Sequence, residues 1–361
     1  RNKILVDGKW LINFGSNDYL GLSHHKSIQQ AIISAIRRTG VGAGASHLIS
    51  GHHSSHESLE IKAAKYLGFD QSLYFSSGYL ANLSFFGSLL KKEDAIFSDK
   101  LNHASLNDGA ILSCAKFDRF KHLDLIHLED LLKKSNEKNK IIVTDGVFSM
   151  DGDIADIRSL LSLCHQYDAH LFVDDAHGYG VLGSDGQGIL EHTAMNKLLS
   201  KKDRDRIIYM FTLGKSVGVS GAILCAKKNI IDFLIQKGKP YIYTTATMPA
   251  IAEGISLSLD LIKDGKILRE KLIKNIQIFR ESIRKKNLLM NSITAIQPIL
   301  IGSPEQTLYT SARLLDQGFY VPAIRPPTVP KNQSRLRVSL SANHSKNDVL
   351  GLTKAINRLT R

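Results

Sequence analysis

The chain has 361 residues, 43% hydrophobic and 22% charged, an ordinary globular composition with enough apolar material for one large core and a smaller one. No apolar run approaches the roughly eighteen residues that cross a bilayer, and the start lacks a signal-peptide pattern. Cys114, Cys164 and Cys225 are too widely spaced for a disulfide framework or a zinc ribbon. The expectation is a soluble, cytoplasmic protein with buried thiols and no membrane partner.

The formal charge of +13 invites a nucleic-acid reading. The basic residues, however, are spread in pairs such as Arg37-Arg38, Lys91-Lys92 and Lys133-Lys134, without a long arm or a DNA-binding motif. A solvated positive surface accounts for them, as does steering of an anionic substrate.

In chain order, Trp10 to Phe14 reads as a short strand at the end of an N-terminal arm. Ile28, Ala31, Ile32, Ala35 and Ile36 recur at helical spacing and predict an amphipathic helix over 26–38. Gly40, Gly42 and Gly44 follow this helix instead of a strand, which argues against a dinucleotide fingerprint. His52 and His56 would share a helix face, with His53 beside them. No glutamate completes a His-Glu-x-x-His zinc motif, so this stretch is read as a helix start and no metal is assigned.

Ser72 to Phe75 predicts a strand, after which Ser76-Ser77-Gly78-Tyr79 opens a helix whose free N–H groups suit a phosphate. Asp94 to Asp99 is a further strand, ending before Asn102-His103-Ala104-Ser105. Ile141 to Val143 precedes the polar run Thr144 to Asp153, where Asp151 and Asp153 flank a glycine as turn residues do. The helical segment 160–167 returns the chain to a strand at Leu171 to Val173. Strands at Ile207 to Phe211 and Ile223 to Cys225 follow.

From about Ala250 a helical tract leads into a second domain, with strands near 297–301 and 336–340 and a last helix over 346–359. Between those strands, three prolines after Arg325 fix the backbone and present its guanidinium, which could grip a carboxylate. Polar motifs repeatedly follow apolar strands. This predicts an α/β fold, a mostly parallel central sheet flanked by helices with the site along one edge. The expected division is an arm over 1–25, a large domain over 26–248 and a smaller α+β domain over 249–361.

Two stretches carry the chemistry. Thr212-Leu213-Gly214-Lys215-Ser216-Val217-Gly218-Val219-Ser220-Gly221-Ala222 sets one lysine among small residues at a strand end, where an amine can form a Schiff base. By itself Gly-Lys-Ser also fits a surface lysine in a flexible loop, and Tyr209 breaks the P-loop pattern. Upstream, Asp174-Asp175-Ala176-His177-Gly178-Tyr179-Gly180 ends another strand, and one of its two aspartates would lie in the site. A lysine for a Schiff base, an aspartate for a pyridinium nitrogen and a histidine near the ring oxygen describe a pyridoxal-phosphate site. Asp-Asp-Ala-His-Gly-x-Gly followed by Thr-x-Gly-Lys-x-x-Gly-Val-Ser-Gly resembles the α-oxoamine synthase family, and the similarity runs from about Asn13 to the C-terminus.

The resemblance implies a fold-type I pyridoxal-phosphate transferase. Lys215 would carry the cofactor and move the substrate α-proton, Asp174 would face the ring nitrogen, and His177 would lie near the 3′ oxygen. His103 would stack on the ring, and Ser149 would sit beside it. Gly78, Tyr79 and Thr212 would hold the phosphate, joined by Thr245 from the other subunit of a homodimer. Asn17, in Asn17-Asp18-Tyr19-Leu20-Gly21-Leu22, would lie near the substrate. The glycines at 40–44 match a substrate loop in which His47 stands where a basic residue is common. Family members also carry residues ahead of the point where this sequence starts.

The implied reaction condenses L-alanine with a pimeloyl thioester, on coenzyme A or a carrier protein, with loss of carbon dioxide. The alternative within the family is a glycine-using α-oxoamine synthase such as a 2-amino-3-ketobutyrate CoA ligase; such relatives differ within the Asp-Asp-Ala-His-Gly motif. The alternative of another class is a non-catalytic basic protein, colourless and binding nucleic acid in a salt-sensitive way.

Overall fold

The structure, a computed structural model, describes residues 2–193 and 199–360. Its strands, numbered in chain order, are β1 (Lys3–Val6), β2 (Lys9–Asn13), β3 (Gln71–Phe75), β4 (Ala95–Asp99), β5 (Lys116–Phe120), β6 (Lys140–Asp145) and β7 (Ala169–Asp174). They continue with β8 (Ile207–Thr212), β9 (Ala222–Ala226), β10 (Ile296–Gly302), β11 (Phe319–Tyr320), β12 (Ala323–Ile324) and β13 (Ser334–Ser339). The chain divides into two compact units, one of residues 25–147 and 155–264 and one of residues 1–24, 148–154 and 265–361.

This corrects the expected boundaries. The helix Pro249–Lys263 packs against the helix Lys26–Thr39 of the larger unit, so the division comes after Asp264 and not at 248. Gly254 shows why: a Cβ there would stand 2.5 Å from Ile32 Cγ1, so the two helices touch through a position that only glycine fits. The opening residues are no free arm. Ile12 and Asn13 of β2 pair in parallel with Phe319 and Tyr320 of β11, some three hundred positions away, which ties them to the smaller unit.

The larger unit is built on a seven-stranded sheet of order β3-β9-β8-β7-β6-β4-β5. Every strand runs parallel to the others except β9, which pairs antiparallel with both β3 and β8. The inner strands β6 to β9 bury almost every residue, so they read as apolar runs without alternation, as parallel strands covered on both faces do. Phe172, Ile208, Leu224 and Ile141 from the sheet pack with Phe85 and Phe86 from the helix Gly78–Leu89 in one apolar cluster. Each fully buried aromatic of this kind contributes about 1.5–3 kcal/mol over an exposed one.

The smaller unit carries two three-stranded sheets, β1-β2-β11 and β10-β13-β12. The β1–β2 hairpin turns through Asp7 and Gly8, both at positive φ, as a two-residue hairpin loop requires. Helices Lys266–Ser282, Pro304–Asp316 and Lys346–Leu359 complete it. Among the described residues, no helix is long and apolar enough to cross a membrane.

Candidate active site

Three neighbouring parallel strands bring the chemistry of the larger unit to one end of its sheet. β6 ends in Asp145 and β7 in Asp174, and these two carboxylates are register partners. β8 ends in Thr212, three residues before Lys215, with Met210 beside Asp174. Burial pushes the Asp145 carboxyl well above the usual range, the Asp174 carboxylate pushes it the same way, and the Lys215 ammonium pulls it back. Asp145, Asp174 and Lys215 thus share one electrostatic environment, with Asp145 driven toward its neutral form.

Asp174 is held from two sides. Its Oδ1 accepts from the Ala176 N–H at 3.1 Å, and its Oδ2 accepts from Asn82 Nδ2 at 3.0 Å. Asn82 is fully buried and donates also to Ser105 Oγ at 2.9 Å, while Ser105 Oγ lies 2.8 Å from His103 Nδ1. The His103 N–H in turn donates to Asp145 Oδ2 at 3.0 Å. His103 is the residue before the helix Ala104–Ser113, and its Nδ1 accepts from the Ser105 N–H. The imidazole is therefore fixed as a plate whose orientation is coupled through Ser105 and Asn82 to Asp174. His177 lies buried three residues beyond Asp174.

Asp175 is structural. Its Oδ2 accepts from the Tyr209 hydroxyl at 2.6 Å and from the Ile189 N–H at 2.7 Å. Glycine at 178 and 188 is required by this packing, since a Cβ at either would stand 2.1 Å or less from an Asp175 oxygen. Of the two aspartates, Asp174 is the one that reaches the shared cluster.

A candidate phosphate seat lies at the same end of the sheet. The helix Gly78–Leu89 starts directly after β3, with Ser77 capping it by accepting from the Leu80 N–H. The N–H groups of Gly78 and Tyr79 lie in the first turn, where no intrahelical acceptor exists. Thr212 Oγ1 is buried with no hydrogen-bond partner in the protein. A Cβ at Gly78 would come within 2.7 Å of Thr212 Cγ2, so the glycine keeps open the space between them. An orphaned hydroxyl, two first-turn donors and a close glycine fit a bound phosphate group. The Tyr79 side chain itself turns away, its hydroxyl 2.5 Å from Asp108 Oδ2, which leaves its backbone as the available contact. Thr245 is exposed and bridged to Ser46.

The Lys215 loop is closed between adjacent strands. The Leu213 N–H donates to Gly221 O and the Val219 N–H to Leu213 O, both at 2.8 Å. Ser216 Oγ donates to Tyr179 O at 2.5 Å, and Val217 O accepts from Ser258 Oγ at 2.6 Å.

The remaining expected residues belong to the smaller unit. Ser149 lies in the 148–154 segment, Asn17 precedes the buried Tyr19, and Arg325 is exposed just after β12. A guanidinium that the sequence reading passed over joins two of them. Arg337 on β13 is 6% exposed and donates to Ser149 O at 2.6 Å, to Asn17 Oδ1 at 3.2 Å and to Ser339 Oγ at 2.8 Å. All these acceptors are neutral oxygens. Arg335, two residues earlier, is instead ion-paired with Asp151. A buried cation surrounded by neutral acceptors is a ready seat for a carboxylate.

The chain matches the family model for aminotransferase class I and II over residues 9–356. It is 48% identical to the 8-amino-7-oxononanoate synthase of Methylobacillus flagellatus, over 98% of this chain and 88% of that protein. Among solved structures, an 8-amino-7-oxononanoate synthase from Francisella tularensis superposes with a TM-score of 0.84 at 31% identity, covering 97% of this chain and 98% of that one. A serine palmitoyltransferase from Sphingomonas wittichii gives 0.93 at 27% identity, over all of this chain and 90% of its own. The site, the fold and these likenesses agree: the chain belongs to the aminotransferase class I and II family of fold-type I pyridoxal-phosphate enzymes and, within it, to the 8-amino-7-oxononanoate synthases, acyltransferases of the biotin pathway.

Proposed function

We propose that the protein condenses L-alanine with a pimeloyl thioester to give 8-amino-7-oxononanoate, carbon dioxide and the free thiol, as a cytoplasmic homodimer. The single observation that carries the reading is the strand-end cluster of Lys215, Asp174 and Asp145, extended through Asn82 and Ser105 to His103. When bound, pyridoxal phosphate supplies an electron sink for the carbanion at the amino-acid α-carbon.

In this reading Lys215 holds the cofactor at rest, takes the α-proton of alanine and later returns a proton to the same carbon. Asp174 keeps the ring nitrogen protonated, and Asn82 keeps Asp174 aimed. His103 supports one ring face, and His177 takes the ring oxygen. Gly78, Tyr79 and Thr212 hold the phosphate together with Thr245 of a second copy. The substrate carboxylate is anchored by Arg337, which Asn17 and the Ser149 carbonyl oxygen position, with Arg325 as the exposed alternative. The new carbon–carbon bond joins the α-carbon to the thioester carbonyl as the carbon–sulfur bond breaks, and the alanine carboxylate then leaves as carbon dioxide.

The test is a product assay pairing alanine or glycine with pimeloyl, acetyl and succinyl thioesters of coenzyme A, and pimeloyl on a carrier protein. Alanine with a pimeloyl donor is expected to turn over fastest. Equal or faster turnover of glycine with acetyl-CoA would overturn the substrate assignment.

A further inference from the structure

Three histidines of the larger unit meet outside the residues assigned to the cofactor. His47 opens a short π-helical turn, His47–Gly51, His52 follows it, and His56 lies in the first turn of the helix Ser54–Leu67. One ligand nitrogen from each falls within 4.8 Å of the other two. The sequence alone grouped His52 and His56 with His53. The folded turn instead brings in His47, whose ring also stacks on Tyr241 at 4.4 Å.

His47 and His52 are hydrogen-bonded through ring nitrogens at a spacing close to one edge of a metal site. Their Nδ1 atoms face each other at 2.9 Å. Two imidazole nitrogens at about 2.0–2.1 Å from a tetrahedral zinc ion stand about 3.3 Å apart, so a shift of a few tenths of an ångström opens this edge to an ion. The other nitrogen of His52 lies 3.7 Å from Glu60 Oε2. A carboxylate behind a ligand imidazole is the usual device that fixes its tautomer and orientation. Glu60 is itself anchored, accepting from the Tyr74 N–H at 2.9 Å.

His56 stands behind the pair. Its Nδ1 accepts from the His53 N–H at 3.1 Å, and its Nε2 lies 2.9 Å from the Thr247 carbonyl oxygen. It becomes the third ligand by releasing one of these contacts. His52 and Glu60 also line an open cavity of about 480 Å³, a route for a hydrated ion.

We propose that His47, His52 and His56 form a binding site for a first-row divalent cation of the zinc class, with Glu60 as the positioning residue for His52. The bound ion ties the turn at 47–51 to the start of the helix behind it. That turn is joined to the chain around Thr245, since Ser46 bridges Thr245 and the Ala246 N–H donates to Ala45 O at 2.9 Å. An occupied site therefore stiffens the segment that carries Thr245.

The experiment uses the cofactor-loaded protein, stripped of metal by a chelator and titrated with zinc and, separately, with cobalt. One zinc per chain is expected, as is an intense visible cobalt spectrum at wavelengths beyond the cofactor band. His52→Ala, at a solvent-facing position, and His47→Gln should each abolish binding. Glu60→Gln should weaken it about tenfold, the usual penalty for losing an outer-shell partner. His53→Ala should retain it. Zinc affinity unchanged in His52→Ala, loss of binding in His53→Ala as complete as in His52→Ala with both proteins folded by circular dichroism, or no zinc bound by the folded parent at millimolar concentration would each overturn the site.

Discussion

Asn82 is the sharpest point at which to perturb the site, because it touches Asp174 and Ser105 at once and lies entirely out of solvent. Asn82→Ala removes a hydrogen bond to a charged carboxylate, worth about 1.5–3 kcal/mol, and one to a neutral hydroxyl, worth about 1 kcal/mol. It also removes Asn82 Oδ1, a buried acceptor without a partner, which offsets part of the loss. The net destabilisation is about 2–3 kcal/mol. If the bond to Asp174 is worth its full value only when the carboxylate faces the ring nitrogen, kcat falls about tenfold to a hundredfold, at 1.36 kcal/mol per factor of ten.

Asn82→Asp keeps the shape, removes the donor and sets a second carboxylate about 3 Å from Asp174, so its kcat should fall further. The assay is steady-state turnover at saturating cofactor, with thermal unfolding measured in parallel. Variants that unfold at lower temperature yet keep kcat within about twofold of the parent would show that Asn82 supports the fold alone, and the coupling of Asp174 to catalysis would be refuted.

Thr212→Val replaces the orphaned hydroxyl by a methyl of the same size. The cofactor-free protein should be as stable or slightly more so, since a buried unsatisfied hydroxyl costs about 1–3 kcal/mol. Cofactor affinity should fall about tenfold, or about 1.4 kcal/mol, by fluorescence or absorbance titration; unchanged affinity would remove Thr212 from the phosphate seat. Asp175 supplies a pH test. Burial raises its carboxyl to about 7, against an opposing pull from its bonds to Tyr209 and Ile189. A raised carboxyl favours folding fully below its unfolded value of about 4, and that contribution is lost as pH rises toward about 7. The change is about 4 kcal/mol at most, from about three pH units at 1.36 kcal/mol each. Asp175→Asn should flatten the fall in stability between pH 4 and pH 7 in denaturant titrations, and an unchanged slope would assign it to other groups.

The edge strand β5, Lys-Phe-Asp-Arg-Phe, is too polar to give a strand signal. Most of the sheet was legible because its inner strands are apolar runs of five or six residues followed directly by polar motifs. Lys215 and Asp174 announced themselves in that way, each just past a buried strand, and the structure places both in one electrostatic environment. Asn82 and Ser105 gave no such signal. Each sits inside a helix, where an isolated polar residue is ordinarily solvent-facing, and only the three-dimensional approach of two helix starts to β7 gives them partners. Arg337 was hidden for a related reason. In Leu336-Arg337-Val338 strict alternation suggests a face in water, but β13 is buried along its whole length. The domain boundary depended on pairings such as Phe319 with Ile12, which no local pattern records.

The lone antiparallel strand of the large sheet constrains the loop that carries Lys215. Because β9 returns directly alongside β8, the peptide that carries Lys215 is a short bridge clamped at both feet, where a crossover would have left it one end of a long excursion. The loop backbone is hydrogen-bonded at both ends, so in the proposed reaction the amine of Lys215 would move mainly through its four methylenes. In that reaction the reach of the amine would be set by the length of one side chain.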